Sequence, residues 1–317
     1  MTELVTFGET ALRLTPPGEG RLAQADQLDV QVAGAESNVA VAAGQLGADA
    51  TWVSKVADSA LGRRAVAELR GCGIGTEVVW DPDGTQSLVF HESPVAPREG
   101  VTIEDHRGTP IAGTSPGELP MDTIQDAGMV FVSSTTPALS DGAMQTAEAV
   151  LRAGVGSGST TALSLEYREA LWDSPEDSER LTRLFDPVDI LISTPADIET
   201  VLGETGEPPE LAHKVASAHD FEAVVISRGR KGALAWHDAT IHETTAIDAE
   251  TVDESGALDA LTGGFLARYL AEESPARVNI ADALAHGTAL ATLARTVPGP
   301  LLSVTAAEVQ HVLDQQE

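Results

Sequence analysis

Alternation of strand-like and helix-like segments runs through most of the 317-residue chain and limits its fold more than any other feature. Short apolar runs rich in β-branched residues are followed by segments with apolar residues at helical spacing. The strands are predicted at 4–7, 51–56, 129–133, 161–165, 189–193 and 223–227, and helices at 36–46, 60–70, 140–153 and 208–219. This rhythm predicts an α/β fold with a parallel sheet and helices on both of its faces.

Two regions interrupt the rhythm, at residues 12–33 and 86–112, where glycine, proline and alternating residues replace the helical pattern. Residues 78–80, 87–91 and 101–104 are predicted as antiparallel strands. We interpret these segments as a small β-sheet lid, because ligands of such folds bind at the carboxyl ends of the strands. From residue 260 onward the chain is predicted to be almost wholly helical. Residues 1–317 are therefore expected to form a single domain with this lid.

The charge of the chain limits its partners. Acidic residues number 49 against 19 basic ones, which gives a formal net charge of −30. Such a surface repels nucleic-acid backbones and anionic lipids, so neither is expected as a partner. Many acids and few lysines resemble the composition of proteins from salt-loving cells. No signal peptide or membrane-spanning run is recognisable, which predicts a cytoplasmic location, and the single cysteine rules out an internal disulfide.

The segment at 253–259 has the strongest indication of chemistry. It reads DESGALD and leads from a strand-like run through a turn of small residues into a helix. Backbone N–H groups at a helix start favour anions. An acid in the first turn then stands beside a bound phosphate, where it can take the proton of an attacking hydroxyl. An aspartate at this place is also a common helix cap, so the residues alone leave both interpretations open.

The same segment resembles the D-T-x-G-A-G-D signature of the ribokinase-like (PfkB) carbohydrate kinases. The resemblance implies that Asp259 is the catalytic base and that the backbone of Gly256, Ala257 and Leu258 forms an anion hole. Leu258 replaces a glycine, so its amide can serve if its φ is negative. The implied fold is ribokinase-like, a three-layer α/β/α arrangement with a central, mostly parallel sheet and a small β-sheet lid. The resemblance extends over essentially the whole chain.

Residues 34–40, which read GAESNVA, resemble the sugar-side G-G-A-x-x-N-x-A pattern of the same family, with Ala33 replacing its first glycine. The resemblance implies that Gly34 and Asn38 contact the substrate. Asn38 offers both donors and acceptors, as a sugar requires. Without the resemblance, a helix start with a buried asparagine explains the same residues equally well.

The nucleotide side is indicated by residues 224–233, VVISRGRKGA, which resemble the strand–turn–strand that borders ATP in these kinases. The resemblance implies that Ser227, Gly229 and Gly232 line the nucleotide and that His286 lies near adenine. Taken alone, these are a glycine-containing hairpin and a helix histidine. The family's N-x-x-E motif corresponds to TPAD at 194–197, which makes Asp197 the candidate for organising Mg²⁺. ATP and Mg²⁺ are thus the implied cofactors.

Within the family, the chain is most similar to 2-keto-3-deoxygluconate kinases. Residues 133–140, SSTTPALS, match their strand and helix start, and 165–172, LEYREALW, resemble their D-x-N-x-R-x-x-L-W run. Arg168 is the candidate partner of a substrate carboxylate and Arg107 is a second one, because a guanidinium matches a carboxylate bidentately. Surface charge pairing is the alternative for both. The predicted reaction is phosphorylation of 2-keto-3-deoxygluconate, or its galactonate epimer, to the 6-phosphate.

Three other interpretations compete with this one. A kinase of the same fold for fructose, ribose or a nucleoside differs only in substrate. A non-catalytic sugar or nucleotide sensor is favoured by Leu258, Thr194 and Ser164, which depart from the family's motifs. A dinucleotide-dependent dehydrogenase is disfavoured because no G-x-G-x-x-G follows the first strand. The exposed edges of the lid strands predict pairing between subunits, so a homo-oligomer is expected, with a dimer as its simplest form.

Overall fold

A computed structural model describes residues 3–172, 177–271 and 278–316. Its strands are β1 (Leu4–Phe7), β2 (Ala11–Thr15), β3 (Asp29–Ala33), β4 (Ala50–Ala57), β5 (Gly75–Asp81), β6 (Leu88–Glu92), β7 (Val101–Asp105), β8 (Met129–Ser133), β9 (Thr160–Leu165), β10 (Ile190–Ser193), β11 (Ala223–Ser227), β12 (Ala233–His237) and β13 (Thr240–Thr244). Its α-helices are α1 (Ala35–Gln45), α2 (Ala60–Gly71), α3 (Met121–Gln125), α4 (Thr135–Ala138), α5 (Asp141–Ser157), α6 (Asp177–Thr182), α7 (Pro195–Leu202), α8 (Pro208–His219), α9 (Ala257–Leu270), α10 (Ile280–Ala294) and α11 (Ala306–Gln316).

The larger sheet has the strand order β13-β12-β11-β10-β9-β8-β1-β4-β5 within the described residues. All neighbours from β11 to β5 pair in parallel, while β12 and β13 add an antiparallel edge. Successive side chains of a strand point to opposite faces, so Leu4 and Trp52 enter one core and Val5 and Val53 the other. Helices α1, α2, α9 and α10 cover the first face, and α5, α7 and α8 cover the second. The predicted three-layer α/β/α architecture is confirmed.

The smaller sheet, called the lid sheet here, consists of β3, β2, β6 and β7 in that order. Strand β2 pairs antiparallel with β3 and parallel with β6, which pairs antiparallel with β7. Because β2 follows the carboxyl end of β1 and β3 leads directly into α1, this sheet lies over the carboxyl ends of the main strands. Strand β7 forms one of its edges, where Ile103 is 55% exposed.

The prediction that residues 78–80 form an antiparallel strand was wrong. They belong to β5, which pairs in parallel with β4 at the edge of the main sheet. An edge strand is covered less completely than a central one, and residues 76–81 are only half-buried. Its sequence pattern therefore resembles that of a hairpin strand.

Helix α9 is buried along almost its whole length, with Phe265 and Leu266 fully inaccessible. Gly263 lies against the backbone of α1, and Gly264 lies against Gly287 of α10, so a β-carbon at either place would collide with the neighbouring helix. This close packing fixes the position of the first turn of α9. In the ranges that the structure covers, no helix is long and apolar enough to cross a membrane.

Candidate active site

A cavity of about 470 Å³ lies between the lid sheet and the carboxyl ends of the main strands. It brings together five residues that the sequence had predicted for the site, namely Gly34, Asn38, Arg168, Gly256 and Asp259. The other polar residues that line it are Glu9, Arg13, His91, Thr102, Glu104, His106, Thr135, Glu169 and Ser255. Residues from the lid, from the N-terminal ends of α1 and α9 and from the segment after β9 thus meet around one space.

Asp259 lies in the first turn of α9 and is 9% exposed. Its Oδ2 accepts a hydrogen bond of 2.8 Å from Nδ2 of Asn38, which α1 contributes. Burial, reinforced by the negative charge of Glu166, raises the pKa of Asp259 to about 7, against the hydrogen bond from Asn38 and the charge of Arg168. A carboxylate with this pKa accepts a proton more readily than an ordinary aspartate, as a general base must.

The hydrogen bond from Asn38 stabilises the charged form of Asp259, so its loss should raise the pKa of Asp259 further. Because a base works only when it is unprotonated, kcat/KM should fall as the pH drops below the pKa of Asp259. In Asn38→Ala we expect the acidic limb of the pH profile of kcat/KM to move upward by about one pH unit, which corresponds to the loss of one hydrogen bond. Gln86→Ala is the control, since that buried amide donates at 2.7 Å to the carbonyl of Thr10 instead. An unmoved limb in Asn38→Ala would contradict this role.

The turn before α9, which the resemblance predicts as an anion hole, has a left-handed residue at Gly256. Gly256 caps the helix with φ of 74°, a left-handed conformation, and a β-carbon there would collide with the carbonyl of Pro300. Ala257 and Leu258 are already helical, and Leu258 is not among the described residues with positive φ. The leucine is therefore compatible with the turn, and the first N–H groups of α9 stand at the end of a helix, where anions are favoured.

Charged side chains from the lid and from the segments after β1 and β9 form a network beside the cavity. Nδ1 of His106 lies 2.8 Å from a carboxylate oxygen of Glu9, and its Nε2 lies 3.1 Å from one of Glu104. Burial alone lowers the pKa of His106, but these two carboxylates outweigh it and raise the pKa to about 10. The guanidinium of Arg168 lies 3.1 Å from Glu104 and 3.5 Å from Glu166, and this side chain remains 44% exposed. His106 and Arg168 therefore both offer positive charge to the cavity.

Arg107, the second candidate for a carboxylate, is not among the residues that line this cavity. Its side chain is 90% exposed and binds Asp105 at 2.6 and 2.8 Å. The alternation of a β-strand explains this placement, because Thr102, Glu104 and His106 face the cavity and the residues between them face away. The structure does not bring Arg107 to the other predicted residues.

The same alternation places side chains that the sequence analysis missed. Arg13 on β2, His91 on β6 and Glu104 on β7 all face the cavity, as does His106 just beyond β7. Polar residues at every second position of lid strands were the available signal. That signal alone does not tell which face of the lid sheet lies over the main sheet.

The predicted nucleotide residues cluster around the β11–β13 edge. Ser227 ends β11 and Gly229 follows it, while Gly232, with φ of 102°, approaches Thr244 so closely that a β-carbon would collide with its carbonyl. Thr244 lines a second cavity of about 450 Å³, which His286 also lines. Nδ1 of His286 lies 2.9 Å from the carbonyl oxygen of Asp282, so that nitrogen is the donor. Ser227, Gly229 and Gly232 border this region without lining either of the two cavities.

Asp197 lies in the first turn of α7, where its carboxylate already serves the protein. One oxygen accepts the N–H of Tyr167 at 3.0 Å and the other the hydroxyl of Thr194 at 2.6 Å. An ionised carboxylate accepts about four hydrogen bonds, so capacity remains for metal-bound water. The described part of the chain contains no group of three or more acidic, histidine or cysteine side chains arranged as a metal site. Mg²⁺ keeps several waters and needs only one or two carboxylates beside phosphates, so Asp197 fits such a role.

Comparison with known proteins agrees with this geometry. Residues 1–307 match the pfkB family carbohydrate kinase profile. A 2-dehydro-3-deoxygalactonokinase of Haloferax volcanii is 43% identical over 98% of this chain and 96% of its own length. A 2-dehydro-3-deoxygluconokinase of Thermoproteus tenax is 28% identical over 87% of this chain and 85% of its own. The acidic composition accords with the Haloferax relative.

Solved structures give the same fold. The crystal structure of a 2-dehydro-3-deoxygluconokinase from Thermotoga maritima superposes with a TM-score of 0.92 and 26% identity, covering 99% of this chain and 100% of that one. A fructokinase with bound ATP from Xylella fastidiosa superposes with a TM-score of 0.88 at 16% identity over 100% of this chain and 99% of that one, which shows the fold alone.

Proposed function

Because the chain belongs to the pfkB family of ATP-dependent carbohydrate kinases, we propose that it phosphorylates a 2-keto-3-deoxy sugar acid of the gluconate or galactonate configuration at its primary 6-hydroxyl. The terms 2-keto and 2-dehydro describe the same compounds. The observation that carries this proposal is one cavity that holds both a buried base, Asp259, and a cation that is accessible to a carboxylate, Arg168.

The reaction is a direct, in-line transfer. Asp259 takes the proton of the primary hydroxyl as its oxygen bonds to the γ-phosphorus of ATP. The bond between that phosphorus and the bridging oxygen breaks, and ADP leaves with the electron pair. The N–H groups at the Gly256 turn stabilise the negative charge on the transferred phosphoryl oxygens. With the lid sheet over the cavity, water is kept from competing with the hydroxyl.

Nucleotide binding is assigned to the β11–β13 edge, with Ser227, Gly229 and Gly232 beside the phosphates and His286 near the base. The ion pair between Arg230 and Glu254, at 2.7 Å, links the β11–β12 turn to the segment before Gly256. Because this ion pair brings the β11–β12 turn close to the Gly256 turn, it supports a nucleotide whose γ-phosphate reaches the Gly256 turn. Asp197 would hold Mg²⁺ through water, and the ion when bound neutralises phosphate charge.

Substrate specificity is tested by ADP release, coupled to a spectroscopic readout, in buffer of high salt with ATP and Mg²⁺. The substrates to compare are 2-keto-3-deoxygluconate, 2-keto-3-deoxygalactonate, fructose, ribose and adenosine. Turnover confined to the two keto-deoxy acids is the expected result. Turnover of a neutral sugar in preference to both acids would reject the proposed substrate class and leave the kinase assignment in place.

The role of Arg168 is tested by Arg168→Ala. A guanidinium–carboxylate contact is lost, so KM for the sugar acid should rise by roughly 30- to 100-fold with a much smaller change in kcat. KM for ATP should not change. Arg107→Ala is the matched control, because that arginine also pairs with an acid of lid strand β7 but is 90% exposed and does not line the cavity. Equal KM values in the two variants would remove Arg168 from substrate recognition.

A further inference from the structure

Arg13 is a buried cation that the function described so far does not use. It lies on β2 of the lid sheet, is 4% exposed and lines the main cavity. Its Nη1 donates at 2.9 Å to Oδ2 of Asp253, a residue 240 positions away in the sequence. Burial of an ion pair carries a desolvation penalty, which must be compensated by good geometry and by surrounding hydrogen bonds. This ion pair joins the lid sheet to the segment before α9.

Asp253 connects Arg13 to the turn that precedes Asp259. Its Oδ1 accepts the N–H of Ser255 at 2.9 Å, and its Oδ2 also accepts the N–H of Gly299 at 3.1 Å. Gly256 directly follows Ser255 and packs against the carbonyl of Pro300, which directly follows Gly299. Burial raises the pKa of Asp253, but the N–H of Ser255 and the guanidinium of Arg13 outweigh it and hold the pKa below its usual range. One charged carboxylate thus holds both sides of the Gly256 turn.

The second amino group of Arg13 is unused by the residues that the structure describes. Among the described residues, none accepts a hydrogen bond from its Nη2, although this atom is buried. An unsatisfied buried donor costs more than its hydrogen bond would contribute, and the cost is larger on a charged group. The positive charge of Arg13 also acts on neighbouring His91, because burial and this charge both lower the pKa of that histidine. The cation beside the Gly256 turn therefore has a donor that no described residue satisfies, and Arg13 itself lines the main cavity.

We propose that Arg13 serves phosphoryl transfer with both of its amino groups: Nη1 positions the Gly256 turn through Asp253, and Nη2 donates to an oxygen of the γ-phosphate. This inference rests on the proposed transfer at Asp259. It also gives the lid sheet a function beyond exclusion of water. A lid strand carries the charge that the transferring group needs, so docking of the lid and assembly of the phosphate site become one event.

The γ-phosphate contact is tested by equilibrium binding of ADP and of the non-hydrolysable β,γ-imido analogue of ATP. In Arg13→Met, affinity for the analogue should fall by about 30-fold while affinity for ADP changes less than about threefold. Arg13→Lys retains a charge near Asp253 without the fork, so it should remain folded and show an intermediate loss. Arg98→Met is the matched control, since Arg98 pairs with Glu92 at 2.9 Å in the same lid but does not line the cavity.

The positioning role is tested by a double-mutant cycle in kcat. Arg13→Met should lower kcat by about 10³-fold and Asp253→Asn by about 10²-fold, while the double variant should match Arg13→Met alone, because both act through one turn. A double variant that loses the product of the two factors would overturn the positioning role. An unchanged analogue-to-ADP preference in both Arg13 variants would overturn the γ-phosphate contact. The binding comparison contains no sugar, so an error in the proposed substrate leaves its outcome intact.

Discussion

Replacement of Asp259 by asparagine is expected to lower kcat by about 10³-fold, because the variant cannot accept the proton of the attacking hydroxyl. The affinity for ATP should be unchanged, since ATP does not depend on this proton transfer. Asparagine has nearly the same shape and can still accept the hydrogen bond from Asn38. Steady-state ADP release and calorimetric titration with ATP measure the two quantities separately.

The stability of this variant has a definite sign. The folded protein raises the pKa of Asp259 to about 7. Above pH 7 the buried Asp259 side chain therefore carries a negative charge, which burial disfavours. The neutral amide removes that penalty, and the melting temperature at pH 8 should be equal to or higher than that of the unchanged protein. Asp122→Asn is the control, an aspartate in the first turn of α3 that is exposed. Retention of full turnover in Asp259→Asn would exclude it as the base.

The strands could be predicted from the sequence where the local pattern of apolar residues reflects how deeply the strand is buried. Central parallel strands such as β8 and β11 are apolar on both faces, so their sequences stand out from the helices that follow them. Strand β5 did not stand out, because at the sheet edge its half-buried residues no longer distinguish a parallel partner from a hairpin partner. Pairing is a property of position in the sheet, which a local pattern does not contain.

The candidate site also has a part that could be predicted from the sequence and a part that could not. Gly256 and Asp259 belong to one short segment, in which the turn and the helix that follows are adjacent in sequence. Arg13 and Asp253 meet only because the lid sheet docks onto the start of α9. Such a contact depends on tertiary packing, and nothing within either segment indicates it.

The lid shows how strongly register decides such assignments. Arg107 was the predicted site residue, yet His106 faces the cavity. Adjacent residues of an extended segment point to opposite sides, so an error of one position exchanges a site residue for a solvent-exposed one. A guanidinium matches a carboxylate bidentately, but the two acids beside His106 keep that imidazole charged, so it also supplies a cation.

Introduction of a side chain at Gly256 is expected to abolish transfer by a different route from the loss of Asp259. In Gly256→Ala the β-carbon would collide with the carbonyl of Pro300, and the left-handed backbone would cost about 1–2 kcal/mol in addition. The turn must move, which displaces the first N–H groups of α9 from the phosphoryl oxygens. We expect kcat to fall by at least about 10²-fold, as for the loss of one oxyanion-stabilising donor.

The control for Gly256→Ala is Gly73→Ala, because Gly73 has a similar φ of 87° and an added β-carbon there would meet no atom of the described, non-adjacent residues within 4 Å. Both variants carry the backbone strain, and only Gly256→Ala carries the collision beside the site. Their melting temperatures should therefore both fall, while kcat should fall in Gly256→Ala alone. If kcat fell equally in the two variants, general loss of stability would explain the effect, and the Gly256 turn would have no specific part in transfer. A fall confined to Gly256→Ala, measured well below both melting temperatures, ties the conformation of this turn to the chemical step.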